Sequence, residues 1–326
     1  MKIMKMQKRM LVFVVAIAAI ALPATAQQPA GPLVLTAHLV KAGVYQVDGS
    51  VSRSGFIVGD TGVVVFDTQR AKENAKLVMA EIAKVTSKPI VAIVVSHADP
   101  DHVAGLPAFP VGVPIIAHEN TKAEIRISAA DPGAGPMWGP VYKELLDFLP
   151  TRTIGATETV MLAGMRMVLM YVAPAHTSGD LILYLPDRKL VFAGDVITTN
   201  TGPMPIIHHH SGGTSLGWIA TMKAILALDA DIYIPGHGPT WSKDKLQEWV
   251  RDVETRRAEI KAMIGANKSL EEIRAALPEP GASPMFPTFA QTTYDELTKG
   301  YPPAGPPWLN LVRPTPGAAQ VPAAPH

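Results

Sequence analysis

The sequence contains no cysteine among its 326 residues. A chain without cysteine can form no disulfide bond and can offer no thiolate ligand to a metal ion. Stability must therefore come from a hydrophobic core, and a hydrophobic content of 48% makes a sizeable core feasible at this length. Any metal site in this protein would be built from histidine and carboxylate side chains.

Long apolar runs are lacking except for one near the N-terminus. Four basic side chains lie within residues 2–9, residues 10–22 are almost wholly apolar, and small residues occupy positions 24–26. This order is typical of a secretory signal peptide, here residues 1–26. The alternative is an uncleaved membrane anchor, but the run is shorter than the ~20 residues that a spanning helix needs. No cysteine follows the run, which excludes a lipoprotein anchor.

The chain also lacks a strong excess of positive charge. Cleavage after residue 26 would remove four basic residues and change the formal net charge from +1 to −3. A mildly acidic protein presents no basic field for nucleic acid or for an anionic membrane surface. We therefore expect a periplasmic or secreted protein that acts on a small-molecule substrate, without stable membrane anchoring after signal cleavage. The oligomeric state stays open.

Short β-branched runs alternate with helical patterns along the rest of the chain. Hairpins followed by a strand and a helix occur in both halves, without a sequence repeat, and predict two sheets covered outside by helices in an α/β (α+β) fold. Strands are predicted at 54–58, 62–66, 90–95, 114–117, 158–162, 165–172, 181–185, 189–192 and 231–234. Helices are predicted at 71–85, 118–127, 142–148, 215–228 and 243–264, with a loop at 129–140 and a final helix ending at residue 277.

Four potential metal ligands are concentrated directly after the predicted strand 90–95. They are His97, Asp99, Asp101 and His102. Buried strands in layered α/β folds end where binding sites are built. The carboxylates of Asp99 and Asp101 would repel each other, and a bound cation offsets that cost. The structural alternative is a solvated polar loop with a helix N-cap at Asp99 or Asp101.

Three further ligand types follow later predicted strands. His176, Asp195 and His237 each lie in a loop with small neighbours, Gly or Ala, that would let a metal ion approach the backbone. A single histidine after a strand indicates little by itself. Seven such residues, all at strand ends, predict a metal site.

These segments resemble the metallo-β-lactamase superfamily, whose motif reads His-x-His-x-Asp-His followed by a later His, Asp and His. The resemblance covers about residues 40–240, within a predicted domain of 33–265, and implies a four-layer αββα sandwich with two metal ions at one edge of the sheets. It implies one position formed by His97, Asp99 and His176, a second formed by Asp101, His102 and His237, and Asp195 as a bridge. Asp67 resembles the residue that orients a ligand without binding metal.

Asp99 departs from this pattern, because the superfamily usually has histidine there. The flavodiiron members carry an acid, Glu, at this point, and the 19-residue spacing from His176 to Asp195 also resembles theirs. They have a flavodoxin domain, and we expect none in this exported protein, so we interpret Asp99 as a change in metal preference. Two divalent cations, three Asp carboxylates and one hydroxide would sum to zero charge, which favours harder ions. We expect two Zn²⁺ ions, with Fe or Mn as the alternatives.

The leading functional hypothesis is an exported two-metal hydrolase. A metal-bridging hydroxide would attack a small ester, lactone, lactam or thioester, and Asp101 would hold and relay the proton. The alternatives are a β-lactamase proper, a di-iron oxidoreductase of flavodiiron-like type, and a non-catalytic metal-holding protein.

Several other residues have weaker indications of function. His118 is expected to be packed or hydrogen-bonded, and the loop of His208, His209 and His210 to be solvated, although this loop could line the pocket. Trp138 and Tyr142 are either a flap or packing residues. Asp180 is expected to support the His176 loop through backbone hydrogen bonds. Residues 266–300 are predicted to be a C-terminal helical extension, and the proline-rich tail 301–326 to be disordered.

Overall fold

The described chain forms two β-sheets that pack face to face. The computed structural model describes residues 33–131, 135–282 and 286–300, so the expected signal peptide and the expected disordered tail lie outside the described residues. None of the helices in these ranges combines the length and the apolar character that a membrane crossing requires.

The first sheet has seven strands and the second has five. The first has the order β1-β2-β3-β4-β5-β6-β7 and the second the order β12-β11-β10-β9-β8. The strands of the first sheet are β1 (Thr36–Lys41), β2 (Val44–Asp48), β3 (Ser54–Val58), β4 (Val63–Phe66), β5 (Ile90–Val94), β6 (Ile115–His118) and β7 (Arg152–Ile154). Those of the second are β8 (Glu158–Leu162), β9 (Met165–Met170), β10 (Ile182–Leu185), β11 (Leu190–Phe192) and β12 (Ile232–Ile234). The three predicted hairpins, β3–β4, β8–β9 and β10–β11, are confirmed as antiparallel pairs.

Helices cover the outer face of each sheet. In chain order they are α1 (Lys72–Val85), α2 (Pro100–Val103), α3 (Glu119–Ala130), α4 (Gly135–Leu145), α5 (Ser215–Ala227), α6 (Lys243–Gly265), α7 (Leu270–Ala276) and α8 (Phe289–Lys299). Buried side chains of α1, α3 and α4 pack on the first sheet, and those of α5 to α8 pack on the second. The chain therefore has the predicted αββα sandwich.

The alternation of side chains along β4 shows how the layers form. Val63 and Val65 face the cluster that contains α1, whereas Val64 and Phe66 face the second sheet. All four side chains are buried, because a strand between two covered faces has no solvent side. The Phe66 ring stacks on Phe192 of β11, with ring centroids 5.2 Å apart. This contact joins the two sheets near the ends of their strands.

Two sequence predictions about helices are wrong. The predicted loop at 129–140 is largely helical, because α3 continues to Ala130 and α4 begins at Gly135 with Pro140 inside it. Proline costs α4 one backbone hydrogen bond, but Tyr142 and Leu145 on the same helix are buried in the core. The helix ending near residue 277 is not the last one, since α8 follows it.

No strand was predicted from the sequence at the positions of β1, β2 and β7. The β1 strand lies at the sheet edge and pairs only with β2, and none of its residues is fully buried. A strand with so little buried surface carries a weak hydrophobic pattern, which is the only signal that a single sequence offers.

The direction of the strands brings several strand ends to one edge. The β4 and β5 strands run parallel, and so do β11 and β12. Because β9 and β11 are both antiparallel to β10, β9 points the same way as β11 and β12. The loops after these strands therefore start at common edges of their sheets, where the candidate ligands lie.

A substitution at Trp218 of α5 can test how much the packing of the outer helices contributes to stability. Its side chain is fully buried and its indole Nε1 donates a 2.8 Å hydrogen bond to the Val196 carbonyl. We expect Trp218→Ala to lower the free energy of unfolding by about 3–5 kcal/mol, because it leaves a cavity and an unpaired carbonyl. Leu216→Ala, on the exposed side of the same helix, should change it by less than about 0.5 kcal/mol. Urea unfolding of both variants measures the difference, and equal effects would contradict this account of the core.

Candidate metal centre

The seven predicted ligands converge at one edge of the sandwich. His97, Asp99, Asp101 and His102 follow β5, and the last two lie in the short helix α2. His176, Asp195 and His237 follow β9, β11 and β12 of the second sheet. The site is therefore formed between the two sheets, with ligands from both.

Three of these side chains form a first candidate metal position. Asp99 Oδ2 lies 3.4 Å from His97 Nε2 and 3.3 Å from His176 Nε2. His97, Asp99 and His176 form one of the groups in which every ligand atom is within 4.8 Å of the others. For a tetrahedral ion with bonds of about 2.0–2.1 Å, neighbouring ligand atoms are about 3.4 Å apart. The observed distances fit such an ion.

Three others form a second candidate position. His237 Nε2 lies 3.2 Å from Asp101 Oδ2 and 3.4 Å from His102 Nε2. His102 Nε2 is 3.7 Å from the same Asp101 oxygen. These three residues again form a compact potential ligand group. The two positions thus contain the ligand sets that the resemblance implied.

Asp195 lies between the two positions. Its Oδ1 is 3.2 Å from His102 Nε2, and its Oδ2 is 3.2 Å from His237 Nε2. Oδ2 is also 3.8 Å from His176 Nε2 and 4.0 Å from His97 Nε2. One carboxylate therefore contacts histidines of both positions, as a bridging ligand would.

In all four candidate ligand histidines, Nε2 points into the site and Nδ1 contacts an oxygen atom outside the ligand set. These histidines are His97, His102, His176 and His237. His176 Nδ1 lies 2.9 Å from the Ile206 carbonyl, and His237 Nδ1 lies 2.8 Å from the Val51 carbonyl. A carbonyl oxygen can only accept, so each Nδ1 carries the proton. The lone pair of Nε2 then points into the site, where a cation would bind it.

Asp67 has this orienting role for the motif loop. Its Oδ2 lies 2.8 Å from His102 Nδ1 and accepts a 2.7 Å hydrogen bond from the Ser96 hydroxyl. That hydroxyl is in turn 2.8 Å from His97 Nδ1. Asp67 has a positive φ of 57°, which non-glycine residues adopt at a cost of about 1–3 kcal/mol. The strained backbone after β4 thus places one carboxylate behind a histidine of each position.

The donor set fits cations better than it fits an ion-free site. His97 Nε2 and Asp195 Oδ1 are buried and have no hydrogen-bond partner among the described residues. Leaving such atoms unpaired is costly, and burying the carboxylates of Asp99 and Asp195 together adds repulsion. Two divalent ions would satisfy these atoms and neutralise the charge. The described residues are therefore able to hold metal ions, and their donor types suit divalent ones.

Small residues allow the loops to approach this closely. A Cβ on Gly236 would lie 1.9 Å from Asp195 Oδ1, so only glycine fits before His237. Gly194 has a φ of 53°, and a Cβ there would lie 2.6 Å from Ser96 Cβ. These two glycines let the β11 and β12 loops meet the motif loop.

The structure also places the other residues of interest. Asp180 supports the His176 loop as expected, accepting hydrogen bonds from the backbone N–H of Ala175 (3.2 Å) and of Thr177 (2.9 Å). His118 is packed as expected, with its ring stacked on Tyr171 at 3.8 Å. Tyr142 is a packing residue rather than a flap, because it is buried and its hydroxyl donates to the Ala98 carbonyl.

One expectation about the histidine loop is wrong. His208 and His209 are buried, with 6% and 8% exposure, and only His210 is solvated. The chain turns back onto the His176 loop, since the His208 N–H donates to the His176 carbonyl at 2.7 Å. His208 Nδ1 consequently lies 2.9 Å from Asp99 Oδ2. No periodicity in the sequence indicates which of three adjacent histidines faces inwards.

Glu124 of α3 is a second residue that the sequence did not single out. Burial and the nearby carboxylate of Asp99 raise the pKa of Glu124 to about 8. One of its carboxylate oxygens is buried without a hydrogen-bond partner in the described ranges. The sequence shows Glu124 only as one polar residue of a helix, so nothing there separates it from surface acids.

Asp67 allows a test of the outer partners. We expect Asp67→Asn to weaken metal binding by about 10–100-fold, because the amide is uncharged and supports His102 less strongly. Asparagine tolerates the positive φ at this position, so the fold should be kept. Asp60→Asn, at an exposed turn, is the matched control and should bind metal as the unchanged protein does. Competition with a chromogenic chelator measures both affinities, and equal values would exclude the orienting role.

The protonation of the ligands predicts how metal binding depends on pH. Burial opposes charge on both rings, but Asp99 and Asp195 raise the pKa of His176 to about 9, and Asp195 and Asp101 raise that of His237 to about 10. A protonated imidazole cannot bind metal, so below these values binding must displace protons. The apparent metal affinity should therefore rise from pH 6 to pH 8, with proton release detectable by calorimetry in buffers of different ionisation enthalpy. A flat profile would contradict this ligand set.

Two curated proteins of known activity are similar to this chain in sequence. The chain is 31% identical over 206 residues to the 2,4-dinitroanisole O-demethylase subunit alpha of Nocardioides sp. (strain JS1661), a match covering 62% of this chain and 57% of that protein. It is 26% identical over 231 residues to the linear primary-alkylsulfatase of Pseudomonas sp. (strain ATCC 19151), covering 58% of this chain and 42% of that protein. The chain thus spans about half the length of these two relatives.

Solved structures share the fold. The sec-alkylsulfatase Pisa1 from Pseudomonas sp. matches with a TM-score of 0.61 at 17% identity, over 82% of this chain and 51% of that chain. The DIM-1 metallo-beta-lactamase matches with a TM-score of 0.56 at 17% identity, over 68% of this chain and 98% of that chain. The model of the metallo-beta-lactamase superfamily matches residues 47–237, which include all seven predicted ligands. With that match, with this fold and with candidate ligands from both sheets at one edge, the chain belongs to the metallo-beta-lactamase superfamily.

Proposed function

We propose that this protein is an exported hydrolase that holds two divalent ions and cleaves a small ester-type substrate. The observation that carries the proposal is the position of Asp195 between two complete ligand groups. A carboxylate between two cations keeps them close enough to act on one substrate. The cations would supply Lewis acidity and lower the pKa of a water molecule from about 15.7 towards neutrality.

Asp101 of the second position is the most exposed of the seven side chains, at 25%. Asp99 and His237 are 15% and 14% exposed, whereas His97, His102 and His176 are 1% exposed or less. A substrate would therefore reach the site from the side of Asp101.

Asp101 is the proposed proton-handling residue. In hydrolysis, water adds its hydroxyl to the carbonyl, sulfur or phosphorus centre, and its proton must reach the leaving group. Asp101 is the most exposed carboxylate of the set, and His237 Nε2 lies 3.2 Å from its Oδ2. Burial would raise the pKa of Asp101, but His102 and His237 lower it overall, so the group is ionised and can accept a proton. The backbone carbonyl of Asp101 accepts a 2.5 Å hydrogen bond from the Ser52 hydroxyl, which fixes the loop.

The substrate class is proposed from the site and from its relatives together. The site suits esters, lactones, lactams and thioesters, in which a polarised centre bears a leaving group. The names of the two relatives add a sulfate ester and an aryl methyl ether to the candidates. We place oxygen esters first, including sulfate esters, since these relatives match 58% and 62% of the chain.

A second candidate is a di-iron oxidoreductase, and Asp99 is the observation that favours it. The carboxylate lies within 3.4 Å of two histidine nitrogens of the first position, so that position has a harder donor set than three histidines would. We propose Zn²⁺ as the ion, with Fe or Mn as the alternatives. Metal analysis of protein made in cells supplied with both iron and zinc separates the two functions.

Export is proposed from residues 1–26 alone. Their basic start, apolar run and small residues support a cleaved signal peptide and a periplasmic or secreted location. N-terminal sequencing of the protein from its own cell envelope tests this, and an intact residue 1 on a cytoplasmic protein would refute it.

A ligand variant tests the hydrolase proposal. We expect the metal-loaded protein to hydrolyse at least one member of a panel of sulfate, phosphate and carboxylate esters, lactones, lactams, thioesters and aryl ethers. His237→Ala should lose one metal equivalent and lower kcat/KM by about 100-fold or more. The control is His38→Ala, whose side chain is 55% exposed on β1 and should have no effect. Two tightly held ions in His237→Ala, or no turnover by protein with both ions bound, would count against the proposal.

A further inference from the structure

His208 lies against the first metal position although it is outside the ligand set that the family motif implies. Its backbone is held firmly: the N–H donates to the His176 carbonyl at 2.7 Å, and its own carbonyl accepts from Ser211 and Gly213 at 3.0 Å each. The residue is 6% exposed. The backbone hydrogen bonds and the burial therefore fix the direction in which the His208 side chain points.

The ring of His208 is packed beside the first-position histidine His176. Their ring centroids are 4.3 Å apart with an interplanar angle of 43°. On its other sides the ring contacts Phe286 at 4.8 Å and His210 at 5.2 Å. These contacts leave the imidazole little freedom to turn away from Asp99.

The Nδ1 atom of His208 lies at ion-pair distance from a ligand oxygen of the first position. Nδ1 lies 2.9 Å from Asp99 Oδ2, yet neither ring nitrogen has an aligned hydrogen-bond partner among the described residues. His97 Nε2 shows the same combination, at 3.4 Å from the same oxygen and without an aligned partner there. An ion held by both side chains would account for a short contact without an aligned hydrogen bond. His176 Nε2 is aligned with the same oxygen at 3.3 Å, so alignment does not exclude a shared ion either.

The distances agree with that explanation. Around Asp99 Oδ2, the nitrogens of His208, His176 and His97 lie at 2.9, 3.3 and 3.4 Å. Ligand bonds of about 2.0–2.1 Å place neighbouring donors about 2.9 Å apart in an octahedral site and about 3.4 Å apart in a tetrahedral one. We propose that His208 is a further protein ligand of the first metal position, which then has three imidazoles and the Asp99 carboxylate.

This assignment makes the two positions unequal. The first position would have four protein donors before Asp195 is counted, which already fills a closed tetrahedral set, whereas the second would have three and would keep room for a substrate. Asp101 of the second position is the most exposed of the seven side chains, which agrees with an open second position. The inference rests on the proposed function insofar as both require ions here, but it concerns metal binding and can be tested without a substrate.

The test uses metal binding and spectroscopy on the full chain. Metal-free protein is titrated with Co²⁺, followed by its visible absorption, and affinities are measured by chelator competition. We expect His208→Ala to weaken one of the two equivalents by at least tenfold and to change the intensity of the corresponding absorption bands. His38→Ala is the matched control, because this histidine is 55% exposed on β1 and outside the site, so the variant should bind both ions as the unchanged protein does.

The outcomes separate this inference from the proposed function. Far-ultraviolet circular dichroism of the metal-free proteins verifies the fold, and His208→Gln replaces His208→Ala if the smaller side chain unfolds the loop. Unchanged affinity and an unchanged Co²⁺ spectrum in the folded His208 variant would overturn the assignment. An unchanged protein that binds two ions but hydrolyses nothing would defeat the proposed function and leave the His208 result valid. A protein that binds neither ion would overturn both.

Discussion

The carboxylate of Asp195 is the interaction on which the rest of the site depends. It follows β11 of the second sheet, yet its oxygens lie 3.2–4.0 Å from histidines that follow strands of both sheets. Burial would raise the pKa of Asp195, but His237 and His102 lower it well below its usual value, so the group is an anion. A buried anion between two histidine clusters needs positive charge on both sides. Paired cations supply that charge, and the sheet edge is arranged to hold them.

Hydrogen bonds to the Nδ1 atoms of the histidines fix how these rings are oriented around the site. His102 is held by the carboxylate of Asp67, and His176 and His237 are held by backbone carbonyls. In each contact Nδ1 donates its hydrogen to the outer oxygen, which keeps the proton on Nδ1 and makes Nε2 the atom that would bind a cation. The carbonyl that holds His237 belongs to Val51, in the loop between β2 and β3 of the opposite sheet. The first sheet therefore orients a ligand histidine of the second sheet, and metal binding is coupled to their packing.

The site is asymmetric in both charge and access. Asp99 replaces the histidine that the superfamily usually has, and His208 adds a nitrogen beside it, so the first position has a harder and more enclosed set of donors. The second position is nearer to the solvent, with Asp101 as its exposed carboxylate. One cation would then mainly hold the structure and the charge balance, while the other would meet the substrate. The relatives are about twice as long as the matched region, so their substrates indicate a class of chemistry and no single compound.

Residue spacing predicted two sheets covered by helices, the three hairpins and the seven ligand candidates, because strand ends with clustered His and Asp are local patterns, and the family resemblance implied the αββα sandwich. Which side chains meet depends on the folded chain. His208 contacts Asp99 through a folded loop, and helix packing buries Glu124 where the Asp99 carboxylate raises its pKa. The edge strand β1 and the helix α4 with Pro140 were not predicted for the same reason. The β1 strand has little buried surface. The α4 helix contains a proline and is stabilised by packing of its buried side chains in the core. Individual helices and strands follow from residue spacing, whereas the meeting of distant side chains at one site depends on the packing of the whole fold.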